Sequence, residues 1–286
     1  MSSCDSNLRF TLFRGFPGTG HYTWSPFVTK LEARMRFSGI SYRTESGSPR
    51  TAPRGKLPYL TIESDDNQPP QTISDSALII KGFVENGMME DLNAQLSPAE
   101  KAQDLALRAL LEDRLYFFQV SESSLGSGCL VLTLGQGHEK WIQNFYKQRD
   151  HVFAAMPYPM RVVIGYLAYR KTTQTLYGQG TLRFSPEEIS SFRDEIWANL
   201  NGLITAAKLQ RSGKDDKEDP FWVLGGDNPT DADSVLFGFI VGTLICCSCP
   251  ESQKTVKSFP VLVEYATRIH DRFFPDYTFS DGTASR

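Results

Sequence analysis

The alternation of apolar and polar residues predicts strands and helices in the first 90 residues. A short alternating run at residues 9–14 (RFTLFR) is typical of a buried strand, and the glycines and prolines of residues 15–20 end it. Apolar residues then recur at helical spacing over residues 25–37. Further strands are predicted at residues 40–44, 59–62 and 71–74, and a second helix from Asp75. Two strands joined through a helix are parallel, whereas the closely spaced last two strands can form a hairpin.

Beyond residue 97 the pattern is helical throughout. Ser97-Pro-Ala-Glu100 and Ser185-Pro-Glu-Glu188 each combine a serine N-cap, a proline at the first helical position and a glutamate at the third, which indicates a helix start. After the first of these, apolar residues continue at helical spacing through Leu105, Ala109, Leu115 and Phe118. Further helices are predicted at residues 138–169 (one or two), 186–203, 231–248 and 260–273.

These elements predict two domains. The predicted boundaries are a disordered N-terminus at 1–8, an α/β domain at 9–90, a linker at 91–97, an all-helical domain at 98–276 and a tail at 277–286. Residues 234–249 (SVLFGFIVGTLICCSC) are almost entirely apolar, but the run of about 16 residues is shorter than the ~20 that cross a bilayer. Because Asp231 and Asp233 also precede it, we expect a core helix and no membrane span.

Composition excludes some function classes. A net charge of -3 with no basic stripe argues against nucleic-acid binding. The five cysteines are odd in number and follow no disulfide framework, and no signal peptide is recognised, so we expect a reducing, cytoplasmic location. The cluster Cys246-Cys-Ser-Cys249 lacks the paired spacing of a zinc site, and the four histidines lack metal-ligand spacing. We therefore expect no metal and interpret the cluster as buried helix cysteines.

Ser25 is predicted at the N-terminus of the first helix. Serine is a favoured N-cap, and Pro26 has its φ preset for the first helical position and lacks the N–H group that would go unpaired there. The simplest interpretation is that Ser25 only caps the helix. The alternative is that its hydroxyl, together with the helix N–H groups and dipole, holds a thiolate, since both favour the anion and lower the pKa of a thiol.

Short motifs occur in a fixed order along the chain. They are Trp24-Ser-Pro-Phe27, Gly55-Lys-Leu-Pro58, Asp75-Ser76 and, later, Asn228-Pro-Thr-Asp-Ala-Asp233, in which Thr230 caps the core helix and Asp233 reaches back to it. In this order they resemble the soluble glutathione transferase family. The resemblance implies an α/β thioredoxin-like domain followed by an all-α helical domain.

Three further segments of the sequence are similar to one branch of that family. The long glycine-containing turn before Ser25, the segment Lys30-Leu-Glu-Ala-Arg34 and the ending at residues 265–276 resemble the failed axon connections and metaxin-like branch. The resemblance covers most of residues 9–90 and 181–276, and residues 121–180 carry little of it.

The resemblance implies glutathione as the cosubstrate. Ser25 matches the catalytic serine, whose hydroxyl would stabilise the glutathione thiolate. Pro58 matches a cis-proline that turns the backbone of Leu57 towards the cysteinyl part of glutathione. Lys56 would approach the glycyl carboxylate. In the third motif, the Ser76 hydroxyl and the helix N–H groups would hold the γ-glutamyl carboxylate, while Asp75 holds the ammonium. Without the resemblance, Lys56 is a solvated loop lysine and Asp75 an N-cap.

The second substrate should lie between Ser25 and the helical domain. Aromatic candidates for its pocket are His21, Tyr22, Trp24, Tyr116 and Phe117. Aromatic walls with a few polar groups suit a small hydrophobic electrophile, although aromatic residues more often fill cores.

Two functions are consistent with these features. The first is a glutathione transferase for a small hydrophobic electrophile, in detoxification or in the biosynthesis of a secondary metabolite. The alternative is a non-catalytic binding or adaptor protein of the metaxin-like kind, associated with the mitochondrial surface. The resemblance also implies a homodimer.

Overall fold

The computed structural model describes residues 8–16, 18–64, 69–125, 157–211 and 219–279. The predicted disordered N-terminus, apart from residue 8, lies outside the described residues. So do residues 138–156 of the predicted helical region and most of the predicted tail.

The N-terminal half contains a four-stranded sheet with the order β2-β1-β3-β4. Its strands are β1 (Arg9–Phe13), β2 (Arg43–Glu45), β3 (Tyr59–Glu63) and β4 (Gln71–Ser74). β1 and β2 are parallel, and the β1–β3 and β3–β4 pairs are antiparallel, which confirms the predicted crossover and hairpin. β2 begins at Arg43 and not at Ile40 as predicted, because Ile40 and Tyr42 pack against the core before pairing with β1 starts.

Two helices cover this sheet. They are α1 (Pro26–Phe37) and α2 (Ser76–Glu85). The core between helices and sheet contains the fully buried side chains of Leu12, Leu31, Leu60, Ile79 and Phe83, which come from β1, α1, β3 and α2. This half is the predicted thioredoxin-like unit, and it is followed by a helical half as predicted.

The helical half consists of seven described α-helices. They are α3 (Pro98–Ala109), α4 (Tyr116–Leu125), α5 (Tyr158–Gln179), α6 (Pro186–Arg211), α7 (Asp231–Ile245), α8 (Pro250–Lys257) and α9 (Pro260–Phe273). One π-helical stretch (Leu110–Leu115) joins α3 to α4. Two details differ from the prediction: α7 ends at Ile245 instead of residue 248, and α8 was not predicted.

The central helix of this half is α7, which is buried from Ala232 to Leu244. The predicted capping box is present, since Asp233 accepts hydrogen bonds from the backbone N–H (2.7 Å) and the hydroxyl (2.9 Å) of Thr230. The same carboxylate accepts from the backbone of Val223 and from the hydroxyl of Tyr265, both at 2.7 Å. In the part of the chain that the structure describes, no single helix is long and apolar enough to cross a membrane; α7 and α8 meet the length and composition criteria only as a pair, bent by 116° at the break between them.

Residues 274–279, here called the C-terminal strap, pack against α1 and the loop between β1 and α1. The backbone N–H of Thr278 donates to the carbonyl of Gly20 at 2.8 Å, and the Tyr277 hydroxyl donates to buried Glu32 of α1 at 2.6 Å. Nε of buried Arg14 lies 3.3 Å from the same carboxylate oxygen. Tyr277, which the predicted boundary assigns to a tail, is therefore part of the core that supports the loop before Ser25.

Candidate functional site

Ser25 occupies the N-cap position of α1, with extended backbone dihedrals (φ −80°, ψ 112°). Its carbonyl accepts the first helical hydrogen bonds, from the N–H groups of Val28 (3.2 Å) and Thr29 (3.3 Å). Its side chain makes no capping hydrogen bond. The Ser25 hydroxyl therefore lies at the positive end of α1 without being used to stabilise that helix.

Two glycines of α7 fix the position of this helix N-terminus. A Cβ on Gly238 would lie 2.5 Å from the Pro26 carbonyl oxygen and 3.0 Å from the Lys30 nitrogen. A Cβ on Gly242, one turn later, would lie 3.4 Å from the Trp24 carbonyl oxygen. At Gly238 only glycine permits this approach of two backbones, whereas a Cβ on Gly242 would make an ordinary van der Waals contact. Neither glycine was predicted from the sequence, although the Gly-x-x-x-Gly spacing was visible.

A cavity of about 190 Å³ opens beside Ser25, between α1, α4, α7 and the turn that follows α7. Its lining residues are Phe16, Trp24, Ser25, Pro26, Tyr116, Gln119, Val120, Ser123, Phe239, Gly242, Thr243, Cys246, Ser248 and Cys249. Of the predicted pocket residues, Trp24 and Tyr116 line it. Burial raises the pKa of Tyr116, so this phenol stays neutral at physiological pH.

His21, Tyr22 and Phe117, also predicted for the pocket, do not line this cavity. The Tyr22 side chain is buried, and its hydroxyl lies 2.8 Å from Nδ1 of His270. His21 is exposed and its backbone pairs with Thr278 of the C-terminal strap. Phe117 packs edge-on against Tyr116, with ring centroids 5.3 Å apart. Tyr22 and His21 thus connect the loop before Ser25 to the C-terminal half.

The cavity lining also includes polar groups that were not predicted from the sequence. The Gln119 amide donates to the Thr243 hydroxyl at 2.6 Å, which in turn donates to the carbonyl of Phe239. Cys246 and Cys249 lie beyond these residues, in the turn between α7 and α8 and not within a helix as predicted. No sequence signal separates these residues from the core, because α7 is apolar on all faces.

The register of the sheet places the three N-terminal motifs at one edge. Phe13 of β1 pairs with Tyr59 of β3, and Tyr59 pairs with Ser74 of β4. The loop to Ser25 follows Phe13, Pro58 directly precedes Tyr59, and Asp75 directly follows Ser74. The sheet thus presents all three motif-bearing loops along the same side of the domain.

The Leu57-Pro58 peptide bond is cis, as the resemblance implies. Leu57 is half-buried, and its Cδ1 occupies the space that a Cβ on Gly15 would need. Gly15 has a φ of 85° and opens the loop to Ser25, so this loop closes directly on Leu57. Lys56 is exposed on the outer side of the same turn.

Asp75 is the N-cap of α2 and has a φ of 80°, which is uncommon for a residue with a side chain. Its Oδ1 accepts from the N–H groups of Ala77 (3.0 Å) and Leu78 (3.4 Å). Ser76, the first residue of α2, is buried. The cap interpretation of Asp75 is therefore correct, and Oδ2 is not used in either capping bond.

Known proteins show the same organisation. Residues 26–127 match the glutathione S-transferase N-terminal domain. An isoprene-epoxide glutathione S-transferase from Rhodococcus sp. (strain AD45) is 33% identical over 111 residues, which is 37% of this chain and 44% of that relative. The chain thus spans less than half the length of this curated relative.

Solved structures share the fold at low sequence identity. A glutathione S-transferase from Methylobacterium radiotolerans, solved with glutathione sulfonate, has a TM-score of 0.51 at 16% identity, covering 97% of this chain and 99% of that one. FzlA from C. crescentus has a TM-score of 0.52 at 14% identity, covering 94% and 91%. Residues 26–127 are thus similar to the N-terminal domain of glutathione S-transferases, and the chain shares the fold of these solved structures.

Proposed function

We propose that this protein is a serine-type glutathione transferase. The Ser25 hydroxyl donates to the sulfur of bound glutathione and stabilises the thiolate, which is a minor species at neutral pH for a thiol of ordinary pKa ~8.5. The thiolate then attacks a small hydrophobic electrophile in the cavity beside Ser25. The observation that carries the proposal is the Phe13–Tyr59–Ser74 register, because it brings the three motifs to one sheet edge.

The remaining parts of glutathione fit the other two motifs. The backbone of Leu57 holds the cysteinyl part, and Lys56 on the outside of the turn approaches the glycyl carboxylate. The α2 N-terminus, with the Ser76 hydroxyl, holds the γ-glutamyl carboxylate. Both capping N–H groups bond to Oδ1 of Asp75, which leaves Oδ2 for the glutathione ammonium.

The cavity supports a small electrophile. Its volume of about 190 Å³ is below the roughly 300–1,000 Å³ of pockets for drug-sized ligands. Trp24, Tyr116 and Phe239 give it aromatic walls. The Rhodococcus relative is named for an epoxide of isoprene, and we propose small apolar epoxides as the first substrate class to test. Attack on an epoxide carbon forms the C–S bond, breaks the C–O bond and leaves an alkoxide that takes up a proton.

The proposal extends, through the resemblance, to a cytoplasmic homodimer of the failed axon connections and metaxin-like branch, acting in detoxification or secondary-metabolite biosynthesis. Light scattering on the purified chain measures the dimer directly, and a monomer would remove that part of the proposal while leaving the chemistry open.

Two serine variants test the chemistry. Ser185, like Ser25, precedes a proline at a helix start, but its hydroxyl accepts a capping bond from Glu188 N–H at 3.2 Å. We expect Ser25→Ala to lower kcat/KM for epoxide conjugation by about 10–100-fold while changing stability little. Ser185→Ala should cost about 1 kcal/mol of stability and leave kcat/KM unchanged.

Glutathione binding is measured separately by calorimetry. Ser76→Ala should weaken it, whereas Ser25→Ala should largely retain it. Full conjugating activity in Ser25→Ala would remove Ser25 from the mechanism. If the wild-type chain binds no glutathione at millimolar concentration, the proposal fails and the non-catalytic adaptor becomes the better interpretation.

A further inference from the structure

Two cysteines lie together in the wall of the cavity that Ser25 lines. Cys246 is the C-cap residue directly after α7, and Cys249 is the N-cap of α8. Both are buried, at 9% and 5% exposure, and their Sγ atoms are 3.7 Å apart. The Cys-x-x-Cys spacing and the short turn between the helices thus place two thiols in contact at a ligand-sized cavity.

The neighbours of this pair favour one thiolate. The Ser248 hydroxyl lies 3.1 Å from the Cys246 sulfur. The hydrogen bond with Cys249 lowers the pKa of Cys246 to about 7; Ser248 acts in the same direction and burial opposes it. The same hydrogen bond, together with burial, raises the pKa of Cys249. The thiol with the lower pKa is the attacking group in thiol–disulfide exchange near neutral pH.

One negatively charged group, Glu122, opposes a thiolate on Cys246, and it is itself paired with Arg193. The Glu122 carboxylate raises the pKa of Cys246, but it accepts from Arg193 (2.8 Å) and from the backbone N–H groups of Glu251 (2.8 Å) and Ser252 at the start of α8. Glu122 is thus hydrogen-bonded to Arg193 and to the start of α8, while Cys246 and Cys249 line the cavity.

A metal is not the better explanation for the pair. Among the residues that the structure describes, no group of three or more His, Cys, Asp or Glu side chains could hold a metal ion. Two adjacent thiols at a cavity, with one poised as thiolate, instead match what thiol–disulfide exchange requires.

We propose that Cys246 and Cys249 form a redox-active dithiol that reduces low-molecular-weight disulfides. Cys246 thiolate attacks one sulfur of the disulfide; a new S–S bond forms to Cys246, the original S–S bond breaks, and one thiolate leaves and takes up a proton. Cys249 then loses its proton and attacks the Cys246 sulfur, which releases the second thiol and leaves an intrachain disulfide. The substrate gains two electrons and two protons, and the dithiol loses them.

Two molecules of glutathione restore the dithiol. The first thiolate opens the Cys246–Cys249 disulfide to a mixed disulfide, and the second attacks that mixed disulfide and releases glutathione disulfide. The net reaction converts a small disulfide and two glutathiones into two thiols and glutathione disulfide. This activity goes beyond the proposed conjugation, because it uses two other residues of the cavity lining and does not need the Ser25 hydroxyl.

The test uses the full chain with Cys4, Cys129 and Cys247 replaced by serine. The protein is incubated with excess glutathione disulfide or bis(2-hydroxyethyl) disulfide, and non-reduced peptides are analysed by mass spectrometry. We expect a Cys246–Cys249 disulfide with either reagent. Cys249→Ser should instead accumulate a mixed disulfide on Cys246, and Cys246→Ser should lose glutathione-dependent reduction of bis(2-hydroxyethyl) disulfide.

The two reagents separate this proposal from the preceding one. Bis(2-hydroxyethyl) disulfide carries none of the groups that Lys56, Asp75 and Ser76 would hold, so failure of glutathione binding does not prevent its reaction. A wild-type chain that stays folded by circular dichroism and forms no Cys246–Cys249 disulfide with either reagent would overturn the proposal. So would an adduct on Cys249 in place of Cys246.

Discussion

Gly238 of α7 lies directly against the backbone of Pro26, so that a Cβ on Gly238 would be 2.5 Å from the Pro26 carbonyl oxygen. Further along the same pair of helices, Nε of buried Arg34 donates to Asp231 at 2.7 Å. Lys30 of α1 also pairs with Glu112 of the helical half at 2.5 Å. The N-terminus of α1, with Ser25, is therefore held by backbone contact at one end and by ion pairs along its length.

Gly238→Ala tests this backbone contact. The added methyl group must push α1 away from α7, which we expect to cost about 1–3 kcal/mol of stability, partly offset by the higher helix propensity of alanine. Because the displaced residue adjoins Ser25, kcat/KM should also fall. Gly202→Ala in α6 is the matched control, since nothing lies within 4 Å of its added Cβ. It should be neutral or stabilising by up to ~1 kcal/mol. Equal effects of the two substitutions on urea denaturation would contradict the packing argument.

Local signals in the sequence were sufficient to predict many helix starts. Serine followed by proline predicts the start of α1 and α6, and the Thr230–Asp233 box predicts the start of α7, because caps depend on neighbouring residues only. The parallel β1–β2 pair was also predictable, since a helical crossover imposes it, and so was the β3–β4 hairpin, whereas the pairing of β1 with β3 was not predicted.

The composition of the cavity was not predictable in the same way. α7 is apolar on every face, so periodicity does not show that Thr243 faces the cavity. Tyr22 was as plausible a pocket residue as Tyr116, and only its tertiary contact with His270 distinguishes them. Likewise, β2 begins later in the chain than predicted, because pairing with β1, and not the apolar pattern, determines where a short strand begins.

Asp75 has two roles that substitution can separate. Asn caps helices about as well as Asp and tolerates positive φ better than most residues, so Asp75→Asn should leave the free energy of unfolding within about 0.5 kcal/mol. It removes the negative charge that we propose for the glutathione ammonium, and the Kd for glutathione should rise about tenfold. Asp75→Ala should show the same loss of affinity and an additional loss of about 1–2 kcal/mol of stability. Calorimetry and thermal unfolding measure the two effects; unchanged affinity in Asp75→Asn would exclude the ammonium role.

The C-terminal strap depends on the hydrogen bond from Tyr277 to buried Glu32. Burial raises the pKa of Glu32, and the Tyr277 hydroxyl and the Arg14 guanidinium oppose that rise by favouring the carboxylate. Tyr277→Phe leaves the carboxylate without this donor and should cost about 1–3 kcal/mol where Glu32 is ionised.

The cost of Tyr277→Phe should depend on pH with a defined sign. The lost bond stabilises the ionised carboxylate, so the penalty is small below the folded-state pKa of Glu32 and grows as pH rises through it. Tyr166→Phe is the control, because Tyr166 is exposed, and it should change stability by less than about 0.5 kcal/mol at either pH. Urea denaturation in mild acid and at neutral pH measures the difference, and a penalty that shrinks with rising pH would contradict this account of Glu32.

Cys246 should be alkylated with a pH profile set by its neighbour. Its pKa is lowered to about 7 by the hydrogen bond with Cys249, so the rate of reaction with iodoacetamide should reach half its maximum near that pH rather than near the ordinary ~8.5. The negative charge of Glu122 raises the pKa of Cys246, and Glu122 is kept in all the variants compared. Cys249→Ala removes the hydrogen-bonding sulfur and should shift the midpoint upward, whereas Cys247→Ser should leave it in place. Peptide-level mass spectrometry follows Cys246 alone, and a midpoint that Cys249→Ala does not move would show that the two sulfurs do not share the proton.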